Sequence, residues 1–170
     1  TQEIIAAVEG LGLRPQGVKV ERPAGASPVQ ELSYASEERG AFASIHSMHR
    51  EQPHLYFFTP FEDGAIALTG DLPMEPVRAD DFLHHGVPGD DRAEQLRLHQ
   101  RAVEKFQKAG HRPFQRFDRD SRLRATDAYY AHPAAQGLMK DLGQKGLKEF
   151  LWSVGLVALA VAMLVYRLLK

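Results

Sequence analysis

Imidazole titrates nearer neutral pH than any other side chain and is the commonest metal ligand, and eight histidines stand in this chain of 170 residues. His46, His49 and His54 fall close together, and His84 and His85 are adjacent. Metal ligation needs neutral rings that converge on one point, which strands achieve at i, i+2 and helices at i, i+4. His46 and His49 are three apart in a run of strand character, so they point to opposite faces. His84 and His85 stand in a Pro- and Gly-rich stretch near Asp80 and Asp81. They are weak metal candidates set against a plainer reading as solvated loop residues, and no metal or cofactor is expected. His99 shares a helical stripe with Leu96 and Val103, the pattern of a core histidine.

Other chemistry finds little support. The chain has no cysteine, which excludes disulfides, thiolate metal sites and Cys nucleophiles. Ser44 and Ser47 beside His46 suggest a nucleophile and base, but residues this close on a strand cannot align without a third group. The run "DRDSR" at 118–122 starts like a calcium loop and fails at its fifth and sixth positions, Arg122 and Leu123. A phosphate-binding glycine loop and a GxSxG elbow are both missing. No catalytic residue is assigned.

The most unusual stretch before the C-terminal region sets Arg112, Arg116, Arg119, Arg122 and Arg124 among Phe114, Phe117, Tyr129 and Tyr130. Guanidinium groups bind carboxylates and phosphates bidentately, and aromatic rings supply packed area. Arg112, Arg116, Phe117, Arg119, Arg122, Arg124, Tyr129 and Tyr130 are therefore expected to form an interface. The alternative is an exposed connector whose arginines pair with Asp118, Asp120 and Asp127. With a formal net charge of −1, the chain lacks the positive field of a nucleic-acid binder, and no such partner is expected.

Residues 150–166, "FLWSVGLVALAVAMLVY", contain no ionisable group. Extended to twenty residues, such a helix rises roughly 30 Å, the thickness of a hydrocarbon core. The sequence predicts a transmembrane helix over 150–170, the other reading being a buried core helix. Lys148, Trp152, Tyr166 and Arg167 fall where interface anchors belong. Gly155, Ala158 and Ala162 form a ridge on which a second membrane helix can pack. With no leader recognisable at the N-terminus, the expectation is a tail-anchored, single-pass integral membrane protein whose soluble domain faces the cytoplasm.

These groups need elements to position them. Ile4, Ile5, Val8 and Leu11 make one apolar stripe, so a short helix is expected over 2–11, followed by a short edge strand around Val18 and Val20. Residues 29–70 read as a three- or four-stranded antiparallel meander, with "FEDG" as a turn. Residues 72–89, interrupted by Pro73, Pro76, Gly86 and Pro88, read as a long loop. Asp91 with Glu94 resembles a capping box opening a helix that ends at Gly110 and lids the meander.

The expected architecture is α+β: a small antiparallel meander packed by an amphipathic helix, then one C-terminal transmembrane helix. Its parts are a soluble domain over 1–110, an Arg/aromatic connector and juxtamembrane helix over 111–149, and the span over 150–170. With no catalytic motif, the expected function is that of a non-catalytic accessory or assembly subunit of a larger membrane complex. Its partners would be the lipid bilayer and other transmembrane subunits. The alternative is a membrane-tethered enzyme or small-ligand sensor that uses the 72–89 loop.

Overall fold

A computed structural model describes residues 2–21, 29–47, 53–141 and 144. The chain divides into two compact units, Thr1–Tyr130 and Ala131–Lys170. The first holds helix α1 (Gln2–Gly10), strands β1 (Arg14–Glu21), β2 (Val29–Ser36), β3 (Ala41–Ser47), β4 (His54–Pro60), β5 (Ile66–Gly70), β6 (Val77–Ala79) and β7 (Phe82–Gly86), and helix α2 (Arg92–Lys108). It also holds helix α3 (Arg119–Ala131) up to Tyr130. In the second unit, residues 133–141 are helical.

The strands form one seven-stranded sheet in the order β1-β2-β3-β4-β5-β7-β6. Neighbours are antiparallel except β5 and β7, which run parallel. Tight turns join β2 to β3 and β4 to β5, the second closing over Gly64 at φ 90°, a conformation that suits glycine. Register fixes which side chains share a face. Tyr34, Ala43, Phe57 and Thr69 lie across one face, and Ser33, Ser44, Tyr56, Gly70 and Gly86 across the other.

Helices cover both faces. On the first, Val8 of α1 and Leu96 of α2 pack with Leu13, Tyr34, Ile45, Leu55 and Phe57, while Val103 and Phe106 pack with Phe61 and Ala67. Helix α2 begins where Asp91 accepts from the Glu94 amide at 2.9 Å, and Gly110 follows its end at φ 103°. The chain then crosses the end of the sheet. The Glu62 amide donates to the Arg112 carbonyl at 2.8 Å, and the Phe114 amide to the Pro60 carbonyl at 3.0 Å. That crossing delivers Phe117, which packs on Phe42 at 5.0 Å, and α3 to the second face. The Asp118 carboxylate accepts from the Ser121 amide at 2.8 Å and caps α3.

Three expectations are corrected. The sheet is a seven-stranded mixed sheet with helices on both faces, not a small meander with one lid. The 72–89 segment is not a long loop. It contains the β6–β7 hairpin, whose second strand pairs with β5. Among the described residues no helix is long and apolar enough to cross a membrane. The described helices are short or, like α2, carry charge along the face opposite the sheet. That finding overturns the transmembrane helix in the expected fold, the tail anchor and the single-pass integral membrane placement. The stretch assigned to the span, with Gly155, Ala158, Ala162, Lys148, Trp152, Tyr166 and Arg167, lies outside the described residues.

Candidate functional site

The buried ion pair of the first unit, with the hydroxyl groups around it, lies on the second face beneath α3. Glu31 lies there with 1% of its surface exposed. Its carboxylate accepts from Ser44 Oγ at 2.6 Å, Tyr56 OH at 2.7 Å and an Arg122 guanidinium nitrogen at 3.0 Å. The same nitrogen of Arg122 reaches Ser44 Oγ and Tyr56 OH, and the other donates to Thr126 Oγ1 at 2.5 Å. The guanidinium also lies 5.1 Å from the Phe58 ring centre. Both carboxylate oxygens of Glu31 and both terminal nitrogens of Arg122 thus have counterparts, as a buried ion pair requires. Burial pushes the Tyr56 phenol well above its ordinary range, against the opposing pull of Arg122, so at neutral pH it stays a donor.

Beside this network is a cavity of about 180 Å³. Phe58, Leu68, Leu72, Met74 and the rings of Tyr129 and Tyr130 provide apolar wall, while His46, His54, His84, Asp71 and Arg122 provide the polar part. One boundary depends on a glycine. A Cβ at Gly86 would stand 1.9 Å from the Leu72 carbonyl oxygen and 2.8 Å from the Met74 nitrogen. Only a residue without a side chain lets the 72–74 segment cross β7 this closely.

His54 and Asp71 form an oriented pair at the cavity. Asp71 accepts from the Leu55 amide at 2.9 Å and from Arg92 at 3.0 Å, which fixes its carboxylate. His54 Nδ1 lies 3.2 Å from its other oxygen. His46 stands opposite His54 in the β3–β4 register, with the rings 6.2 Å apart. On β7, His84 Nδ1 meets Tyr129 OH at 3.0 Å. Burial, with a smaller contribution from His85, lowers the His84 pKa to about 4, so its ring is neutral at pH 7.

His84 and His85 are therefore strand residues on opposite faces, His84 in the cavity and His85 across from Thr69 on the α2 side. Two rings that diverge cannot share an ion, and among the described residues no group of three or more His, Asp or Glu side chains is placed to hold a metal. His49 lies outside the described residues. His99 is fully buried between the sheet and α2. Thr59 donates its hydroxyl to the Gly40 carbonyl at 2.7 Å, so it must accept from His99 Nε2 at 2.9 Å. Nδ1 then accepts from Thr69 at 3.1 Å. Burial lowers the His99 pKa to about 3, which keeps this ring neutral.

The structure separates the Arg/aromatic set. Arg112, Arg116, Arg119, Arg124 and Tyr130 are exposed, whereas Phe117 and Arg122 are buried and Tyr129 is half-buried. Arg122, Tyr129 and Tyr130 line the cavity. Glu31, Tyr56 and Asp71 escaped sequence reasoning. The available signal was Glu31 in an alternating strand at an inward position, because a buried carboxylate demands a cation. Neither a family model, a curated protein nor a solved structure matches the chain.

Proposed function

We propose that this chain is a small-ligand-binding protein whose site is the cavity beneath α3. The accessory-subunit reading rests largely on a span that lies outside the described residues; the ligand-binding alternative rests on a cavity bordered by the 72–74 segment and β7. The observation that carries it is the composition of that cavity: aromatic and aliphatic walls with a few convergent polar groups whose own partners hold them in place. Sites for small molecules have this composition. The cavity offers an oriented imidazole, while Ser44 is fully buried and stands outside the cavity lining, so binding is the function the geometry supports.

A thermal-shift screen of uncharged one-ring compounds against the full chain tests the reading. Stabilisation by such compounds, abolished in Leu68→Phe where the larger side chain fills the cavity, supports it. If no compound stabilises the protein, or if Leu68→Phe responds as the parent does, the cavity is not the site.

A further inference from the structure

The charges at the cavity are already balanced. Among the described residues that line it, two other than histidine carry charge, Arg122 and Asp71. Arg122 is paired with Glu31 at 3.0 Å and Asp71 with Arg92 at 3.0 Å. An ionised ligand would have to leave water for a site with no uncompensated counter-charge, which is strongly unfavourable. An uncharged ligand meets no such penalty.

The polarity of the ligand's hydrogen bond follows from Asp71. A carboxylate only accepts, so the Nδ1 that faces it across 3.2 Å must carry the proton. The Leu55 amide and Arg92 hold the carboxylate's other oxygen, which removes its freedom to turn away. In the neutral ring this leaves Nε2 of His54 with a lone pair, and the ring lines the cavity. Phe58, Leu68 and Tyr129 supply flat or apolar wall beside it. A dry apolar cavity of about 150 Å³ holds a benzene ring, and this one, at about 180 Å³, is of that order.

We propose that the cavity selects an uncharged single-ring aromatic compound bearing one hydrogen-bond donor, a phenol-type hydroxyl or ring N–H, which donates to His54. This rests on the cavity being a ligand site, and it adds the class of ligand. An acceptor role for His54 Nε2, set by the Nδ1 contact with Asp71, also makes a prediction about Asp71→Asn. The asparagine amide can donate to Nδ1, which places the proton on Nε2 and turns His54 into a donor toward the cavity.

The test is calorimetric titration of the full chain at pH 7.5 with phenol, anisole, toluene and benzoate. Anisole keeps the ring and oxygen but cannot donate, toluene has no polar group, and benzoate is charged. Phenol binding about tenfold more tightly than anisole or toluene, the equivalent of one well-made hydrogen bond, supports the proposal. In Asp71→Asn the preference for phenol over anisole should fall to about one or reverse. His54→Phe, which keeps a ring but has no acceptor, should also erase it, and toluene binding reports whether the cavity survives each change. If phenol, anisole and toluene bind equally, the donor rule is overturned while the cavity remains a ligand site. Benzoate binding more tightly than phenol overturns the charge argument. If none of the four binds, the proposal and the reading beneath it both fail.

Discussion

Helices α2 and α3 cover opposite faces of one sheet by opposite means. Helix α2 buries Leu96, Val103 and Phe106, side chains that fill space, and beside them Gln95 and His99, whose polar atoms are held by hydrogen bonds. Helix α3 buries Ser121, Arg122, Ala125 and Thr126, which are small or polar and leave space between their hydrogen bonds. The α2 face is accordingly a packed core with one histidine clamped on both nitrogens, while the α3 face carries a network and a cavity. An apolar stripe closes an interface; a polar stripe spaces it. Function is better sought where a fold has accepted the second arrangement.

The largest effect should come from the network. Arg122→Met leaves Glu31 buried with its hydroxyl donors but without its cation, and removing one member of such a pair costs about 3–5 kcal/mol. Chemical denaturation should show that loss. Adding Glu31→Gln to the same chain should recover part of it, because a neutral amide does not need the guanidinium. Strict additivity of the two losses would mean the pair is not coupled as described.

Gly86→Ala comes next. With its Cβ directed at the Leu72 carbonyl, the 72–74 segment must move, at a cost of about 1–3 kcal/mol as for other forced overpacking. It should weaken ligand binding by more than a substitution of similar stability cost on the α2 face, such as Val103→Ala. Equal effects on binding would erase the distinction between the two faces.

Acid sensitivity is common to the two faces, because each buries a neutral histidine. His99 and His84 are held neutral when folded, with pKa values lowered to about 3 and about 4 by burial, whereas an unfolded histidine titrates near 6.5. Below about pH 6.5 the unfolded chain takes up protons that the folded chain refuses, so stability is full above that pH and falls below it, until about pH 4 for His84 and pH 3 for His99. Each ring contributes a slope of up to about 1.4 kcal/mol per pH unit. Denaturation midpoints measured from pH 7 to 4.5 should fall less steeply in His99→Gln than in the parent. An unchanged slope would mean that His99 is not buried as a neutral ring.

The smallest effect is local. Asp91→Ala removes the α2 cap and should cost about 1 kcal/mol without altering ligand preference. Denaturation and calorimetry of that variant together check both halves of the statement.

Much of the α2 side was legible in the sequence, and much of the α3 side was not. Leu96, Val103 and Phe106 repeat at helical spacing between Asp91 and Gly110, so periodicity and caps mark the helix together. Helix α3 repeats too, but its inward positions are Ser121, Arg122, Ala125 and Thr126, while Leu123 is 43% exposed. A search for apolar period finds the wrong face there. The Asp118 cap for Ser121 was the surviving signal. Strands β6 and β7 were obscured because β6 has only three residues and follows Pro73 and Pro76. The site itself depends on cross-strand register and on contacts such as Glu31 with Arg122, separated by 91 positions, which no local pattern encodes.

The central claim is that the space beneath α3, and not the packed α2 face, receives a small molecule. Methyl NMR of the full chain during titration with toluene reads both faces at once. The account predicts saturable shifts at Leu68, Leu72 and Met74, with Leu96 and Val103 unmoved. Shifts confined to Leu96 and Val103, or no saturable shift at any of the five, would contradict it.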